Sequence, residues 1–137
     1  MSAVCRLAAR FGRFNLVGLM GAVLQLVLMD LLMECFGLPE VAAAPIAVEI
    51  VILHNFFWHE RWTWIERTKV LPWGFSSRIV RFHFANGLIS LAGNAALMWL
   101  LVAGLRIPYL IANLMAIAAC SVINFWAGDR FVFRASG

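Results

Sequence analysis

A chain of 137 residues is the length of one domain, but its composition excludes an ordinary soluble one. Hydrophobic residues make up 64% and charged residues 13%, against about 45–50% and about 25% in soluble domains, and the mean hydropathy is +0.88. The net charge of +4 comes from basic residues clustered between long apolar runs; no basic patch on a soluble surface is evident, so nucleic acid is not expected as a partner.

Arg6, Arg10 and Arg13 precede the first apolar run, residues 14–36. That run is too long for the apolar part of a signal peptide, and no small-residue cleavage site follows it, so a retained span is predicted. Leu38-Pro39 marks a turn, because proline starts or ends helices, and a second span is predicted over 41–58. The stretch 59–81, with Pro72 and Gly74, is predicted to be the one real loop. A third span follows over 82–105, a turn at Ile107-Pro108, and a fourth span over 108–127. Each run is close to the ~20 apolar residues that a membrane helix needs.

With four spans, both termini and the central loop share one side. That side carries Arg6, Arg10, Arg13, Arg61, Arg67, Lys69, Arg78, Arg81, Arg130 and Arg134, and the other side carries Arg106. Basic residues concentrate in cytoplasmic loops, so the N- and C-termini are predicted to be cytoplasmic and the protein to lie in the cell (inner) membrane. Cys5, Cys35 and Cys120 are far apart and odd in number, and suggest neither a disulfide framework nor a metal site.

Two segments nearly repeat each other: His-Asn-Phe-Phe-Trp-His-Glu-Arg-Trp-Thr-Trp, ending at Trp64, and Ile-Asn-Phe-Trp-Ala-Gly-Asp-Arg-Phe-Val-Phe, ending at Phe133. A shift of 69 residues places Gly18 on Gly87, Pro39 on Pro108, Ala43 on Ala112, Ala47 on Ala116, Asn55-Phe56 on Asn124-Phe125 and Arg61 on Arg130, with no gap from Gly18 to Trp64. Each copy holds an even number of spans, so both enter the membrane from the same side and form a parallel repeat. The predicted fold is therefore an all-α membrane protein of four transmembrane helices built from two parallel helical-hairpin repeats. Its single domain, 1–137, divides into repeat one at 13–64, a cytoplasmic loop at 65–80 and repeat two at 81–134.

These elements resemble the GtrA-like family of small four-span proteins called bactoprenol-linked glucose translocases. The resemblance rests on Arg13-Phe14…Gly18, Leu38-Pro39 and Asn55-Phe56…Arg61-Trp62-Thr63-Trp64. In the second half it rests on Arg81-Phe82…Gly87, Pro108-Tyr109…Ala112-Asn113 and Asn124-Phe125…Arg130-Phe131-Val132-Phe133. One departure is that Gly21-Ala22 and then Gln25 stand where many members have Asn-Thr and then an acid. The resemblance implies a flippase, moving a polyprenyl-phosphate-linked sugar such as undecaprenyl-phosphate glucose between leaflets for polysaccharide modification.

Two sets of residues carry the candidate chemistry. Arg61 and Arg130, each preceded by an acid (Glu60, Asp129), are candidate lipid-phosphate ligands with Asn55 and Asn124, because Arg binds phosphate oxygens in bidentate geometry. The acid would fix the guanidinium, and the asparagines would donate to phosphate or cap their helices. The alternative is interfacial anchoring by Arg and the nearby Trp58, Trp62, Trp64, Trp73 and Trp126. Within the spans, Glu49 (about 12 Å in), Gln25 (about 17 Å in) and Asn94 are within reach of a shared mid-membrane polar path; the alternative for Gln25 and Asn94 is interhelical hydrogen bonding. Asp30 and Glu34 share a face near the outer interface, and Gly87, Ser90 and Gly93 form a close-packing stripe.

His54, His59 and Glu60 do not have zinc-protease spacing: the histidines are five apart, about 140° around a helix. His59 and His83 are expected at headgroup level. No nucleophile–base pair, metal constellation or phosphate-binding glycine loop appears, so neither an enzyme nor a cofactor is expected. The expected partners are a polyprenyl-phosphate-linked sugar, membrane lipids, further copies of the chain and a cytoplasmic glycosyltransferase. Anchoring that glycosyltransferase without transport is the alternative function.

Overall fold

The computed structural model describes residues 3–69 and 74–134, and all regular structure among them is helical. Four helices are long and apolar enough to cross a membrane: α1 (Val4–Cys35), α2 (Glu40–Thr63), α3 (Phe75–Gly104) and α4 (Tyr109–Val132). The chain is a multi-pass membrane protein. It divides into two compact units, Met1–Lys69 and Val70–Gly137.

In the first unit, α1 and α2 form a hairpin. Ala43, Ala47 and Val51 recur every four residues, so they share one face of α2, and all three are buried with Phe14 and Val17 of α1. Small side chains on that face let the backbones come close without a hydrophobic driving force, which lipid does not supply. In the second unit Ala112, Ala116 and Cys120 form the corresponding buried face of α4 against α3.

Both hairpin turns use one left-handed residue. Gly37 has φ 65°, and Leu38 N–H then donates to Leu32 O at 3.0 Å. In the second unit Arg106 has φ 55°, and Ile107 N–H donates to Leu101 O at 2.9 Å. The left-handed region brings a Cβ against its carbonyl, at a cost of roughly 1–2 kcal/mol that glycine escapes. Arg106→Gly is therefore expected to stabilise its hairpin by about 1 kcal/mol and Gly37→Ala to destabilise the other by a similar amount. Thermal unfolding in detergent checks both; opposite signs at the two turns are the expected result.

The helices run past the apolar segments. α1 is helical from Val4, where a span was predicted from residue 14, and α3 begins at Phe75, seven residues ahead of its predicted start. The predicted loop 59–81 is accordingly mostly helical: α2 continues to Thr63 and Ile65–Thr68 is a further helical turn. Hydropathy marks where lipid begins, whereas backbone hydrogen bonding continues wherever residues such as Arg6, Arg10 and Arg78 favour it. Pro72 and Trp73 lie outside the described residues.

Candidate functional site

Each tail motif begins where a long α-helix changes to a π turn, His59–Thr63 in the first unit and Gly128–Val132 in the second. The chain then leaves the helix at Trp64 (φ −117°, ψ 23°) and Phe133 (φ −109°, ψ 33°). Trp64 N–H donates to His59 O at 2.9 Å, and Phe133 N–H to Gly128 O at 2.8 Å. These bonds turn the last aromatic inward: Trp64 is 1% exposed and Phe133 is fully buried. Trp64 is thus a core residue, correcting its reading as an interfacial anchor. Thr63 and Val132, the residues between the aromatics, are buried beside them.

The first aromatic of each tail has a different role. Arg13 on α1 donates from Nη1 to Trp62 O at 3.2 Å, with its guanidinium 5.9 Å from the Trp62 ring. Arg81 on α3 does the same to Phe131, at 3.3 Å and 5.0 Å. A guanidinium over a ring face gains electrostatically from the ring quadrupole, so each hairpin is clasped at its open end. The sequence placed Arg13 and Arg81 as motif positions and as basic residues of the predicted cytoplasmic side, not as partners of the tails. Their spacing to the tails, 62−13 = 49 and 131−81 = 50, differs by one residue.

Asn55 and Asn124 sit in the seams of their hairpins. Asn55 Oδ1 accepts from His54 Nδ1 at 3.1 Å, and its amide lies where a Cβ on Gly21 would fall. Asn124 Nδ2 donates to Ser90 Oγ at 3.1 Å, and Asn124 Oδ1 is buried with no partner among the described residues. Neither caps its helix; both are helical and pack α2 on α1 or α4 on α3. Of the stripe Gly87, Ser90 and Gly93, Ser90 and Gly93 face α4, through Asn124 and Cys120. Gly87 has open space where a Cβ would stand, correcting its reading as a packing residue.

His59 is also a core residue, turned into its own hairpin. It is 2% exposed, stacks on Phe14 (4.7 Å, 11°), meets Trp64 edge-on at 5.2 Å and hydrogen-bonds through Nδ1 with Thr63 Oγ1 at 3.0 Å. His83 is half-buried, with Phe84 edge-on at 6.5 Å.

The mid-span polar groups are not gathered within a unit. Glu49 is exposed and lies two residues from both Ala47 and Val51. At about 100° per residue that is the face of α2 turned from α1, so the hairpin does not bring Glu49 to Gln25, which is half-buried on α1. Asn94 is half-buried on α3 in the other unit. Asp30 and Glu34 are exposed near the end of α1.

Arg61 and Arg130 are exposed at the tail ends. The Arg61 guanidinium lies 4.4 Å from the Phe57 ring rather than against Glu60. Successive residues on a helix do not face each other, whereas residues four apart do, so the adjacent acid does not fix this arginine as expected. Arg130 instead lines an open depression of about 530 Å³ with Trp126, Ala127, Phe131 and Arg134.

Residues 13–133 match the family described as GtrA/DPMS, transmembrane domain. A dolichol-phosphate mannosyltransferase of Pyrococcus furiosus is similar to the chain, with 37% identity over 127 residues covering 91% of the chain and 32% of that protein. The chain spans about a third of the length of this curated relative.

Proposed function

The chain belongs to the GtrA/DPMS transmembrane-domain family, and from that premise we propose that it receives a polyprenyl-phosphate-linked sugar at its hairpin ends and passes it between leaflets. The observation that carries this reading is the open depression at the end of α4, where Arg130 stands among aromatic side chains. A guanidinium there offers a planar fork to phosphate oxygens, and its aromatic neighbours suit the level where headgroups meet acyl chains. Arg61 is its counterpart on α2, and Asn55 and Asn124 hold the seams beneath.

In this proposal the two units are parallel repeats. Their support is that Arg13–Trp62 and Arg81–Phe131, Asn55–Gly21 and Asn124–Ser90, and Trp64 and Phe133 occupy matching places within their own hairpins. The clustered arginines support a cytoplasmic side of the inner membrane for both termini. The polar path falls to Glu49, Gln25 and Asn94, supplied by more than one hairpin, and further copies of the chain complete it. The chain acts on its lipid by binding, without catalysis.

A second reading is favoured by the relative, which is named for mannosyl transfer involving dolichol phosphate and is about three times as long as the stretch this chain matches. Under it the chain anchors a separate glycosyltransferase and presents the lipid to it. Proteoliposomes containing the purified chain and labelled undecaprenyl-phosphate glucose separate the two. Under the first reading, leaflet exchange exceeds that of empty vesicles and falls about tenfold in Arg130→Gln, the loss of one charge-assisted phosphate contact. Exchange no faster than in empty vesicles overturns translocation, and co-purification with a glycosyltransferase then supports the anchor.

A further inference from the structure

The two hairpin ends share a plan but are finished differently. In the first unit Phe57 and Arg61 close on each other, with the guanidinium 4.4 Å from the ring centre. That face of the ring is therefore occupied by the chain itself. The first unit's basic cleft, between Arg6, Arg10, Arg13, Thr63 and Glu66, encloses about 40 Å³, room for a water or two.

Sixty-nine residues beyond Phe57 stands Trp126, which is 63% exposed, and sixty-nine beyond Arg61 stands Arg130. Both line the open depression of about 530 Å³. The place of Ile65 (65 + 69 = 134) is taken by Arg134, which lines the same depression. The second unit thus carries a largely exposed indole, two guanidinium groups and the Phe131 ring together, where the first has a phenyl capped on one face by its single guanidinium, an alkyl group and, in the place of Phe131, Trp62.

We propose that the second unit alone holds the lipid headgroup: Arg130 and Arg134 take the phosphate, and the indole of Trp126 takes the face of the sugar. This rests on the proposed reading of the chain as a binder of polyprenyl-phosphate sugars, and divides the labour between its halves. The phosphate that joins a sugar to a polyprenol keeps one negative charge and two free oxygens, which two planar forks bind better than one. The C–H face of a pyranose is apolar and flat enough to lie on an indole, whose large π surface is the strongest aromatic platform for such contacts. In this arrangement the first unit serves as a structural counterpart.

The test uses the full chain in nanodiscs with two probes, undecaprenyl phosphate and the same lipid carrying glucose. Arg130→Gln and Arg134→Gln are each expected to weaken both probes about tenfold. Trp126→Leu is expected to weaken the glucose-bearing probe about fivefold and the bare phosphate less than twofold. Phe57→Leu is expected to change either affinity less than twofold, and Arg61→Gln to weaken both probes less than Arg130→Gln does. Arg130→Lys, retaining charge without the fork, should recover part of the loss, and wild-type-like thermal unfolding of each variant shows that the fold is kept. If the wild type binds both probes but Arg61→Gln weakens them as much as Arg130→Gln, the assignment to the second unit fails while the binding function stands. If Trp126→Leu weakens both probes equally, the sugar platform fails. If the wild type binds neither probe, the proposed function fails and the assignment with it.

Discussion

Replacing Gly21 by alanine is expected to destabilise the first hairpin by about 2–3 kcal/mol, the usual cost of forcing volume into a closed seam. A Cβ there would stand 2.9 Å from Asn55 Nδ2 and 3.0 Å from its Cγ, and nearer still to Oδ1. The amide is not a flexible chain end that swings away. It is held by His54 at 3.1 Å and belongs to a helix fixed against α1 by the buried Ala43 and Ala47. The methyl must therefore push the helices apart or strip the Asn55–His54 bond. Asn55→Ala in the Gly21→Ala background removes the obstacle and should recover most of the loss, giving a coupling energy of about 1–2 kcal/mol in a double-mutant cycle. The second unit supplies the contrast. Ser90 stands 69 residues beyond Gly21, and its hydroxyl accepts from Asn124. Ser90→Ala should cost only about 0.6–1 kcal/mol, the usual value of one interhelical hydrogen bond in a membrane. Denaturation in mixed micelles measures all five proteins, the wild type, the two single variants and the double variant of the cycle, and Ser90→Ala; a Gly21→Ala cost below that of Ser90→Ala would show that the seam is loose.

The spans could be read from the sequence because about 20 apolar residues in a row have few other uses. Their ends could not, because Arg6, Arg10 and the segment from Phe75 to Arg81 are polar enough to leave the lipid yet remain in helix. The near-repetition of Arg-aromatic-x-aromatic was equally visible, but not which aromatic turns inward. That depends on the chain leaving its helix at Trp64 and Phe133 after a π turn, which no periodicity records. One irregularity was present in the letters. Phe14 stands four residues before Gly18, but Phe82 stands five before Gly87. One extra residue in an α-helix would rotate everything beyond it by about 100°. α1 is uninterrupted α-helix to Asp30, whereas α3 passes into a π turn at Ile89–Gly93, just beyond Gly87. Arg81 faces the tail of α4 and Ser90 faces Asn124, as Arg13 faces Trp62 and Gly21 faces Asn55 in the first unit. The candidate ligands were only half legible for a related reason. Spacing put Arg61 and Arg130 at like positions, but their surroundings are set by Phe57 and Trp126, four residues earlier.

His59→Ala is expected to cost about 3 kcal/mol or more, at the level of truncating a buried aromatic. The ring fills the space between Phe14 and Trp64, at 4.7 and 5.2 Å, and its removal leaves a void beside the largest buried side chain of the unit. It also strands the Thr63 hydroxyl, which is buried and hydrogen-bonded to His59. The two contributions can be separated. His59→Phe keeps ring volume and stacking but offers Thr63 no partner, so its cost should be that of one unsatisfied buried hydroxyl, about 1–2 kcal/mol. Adding Thr63→Val removes the stranded group and should recover most of that cost. The second unit already uses this apolar solution, with Val132 69 residues beyond Thr63 and fully buried. If His59→Phe proves as damaging as His59→Ala, then the polar pair and not the aromatic stack holds this end of the hairpin together. If Thr63→Val recovers nothing, the hydroxyl was never the cost. The expected order of stability is wild type, then the His59→Phe/Thr63→Val double variant, then His59→Phe, then His59→Ala. The His59→Ala loss should fall on the first unit, because every contact of His59 described above lies within it.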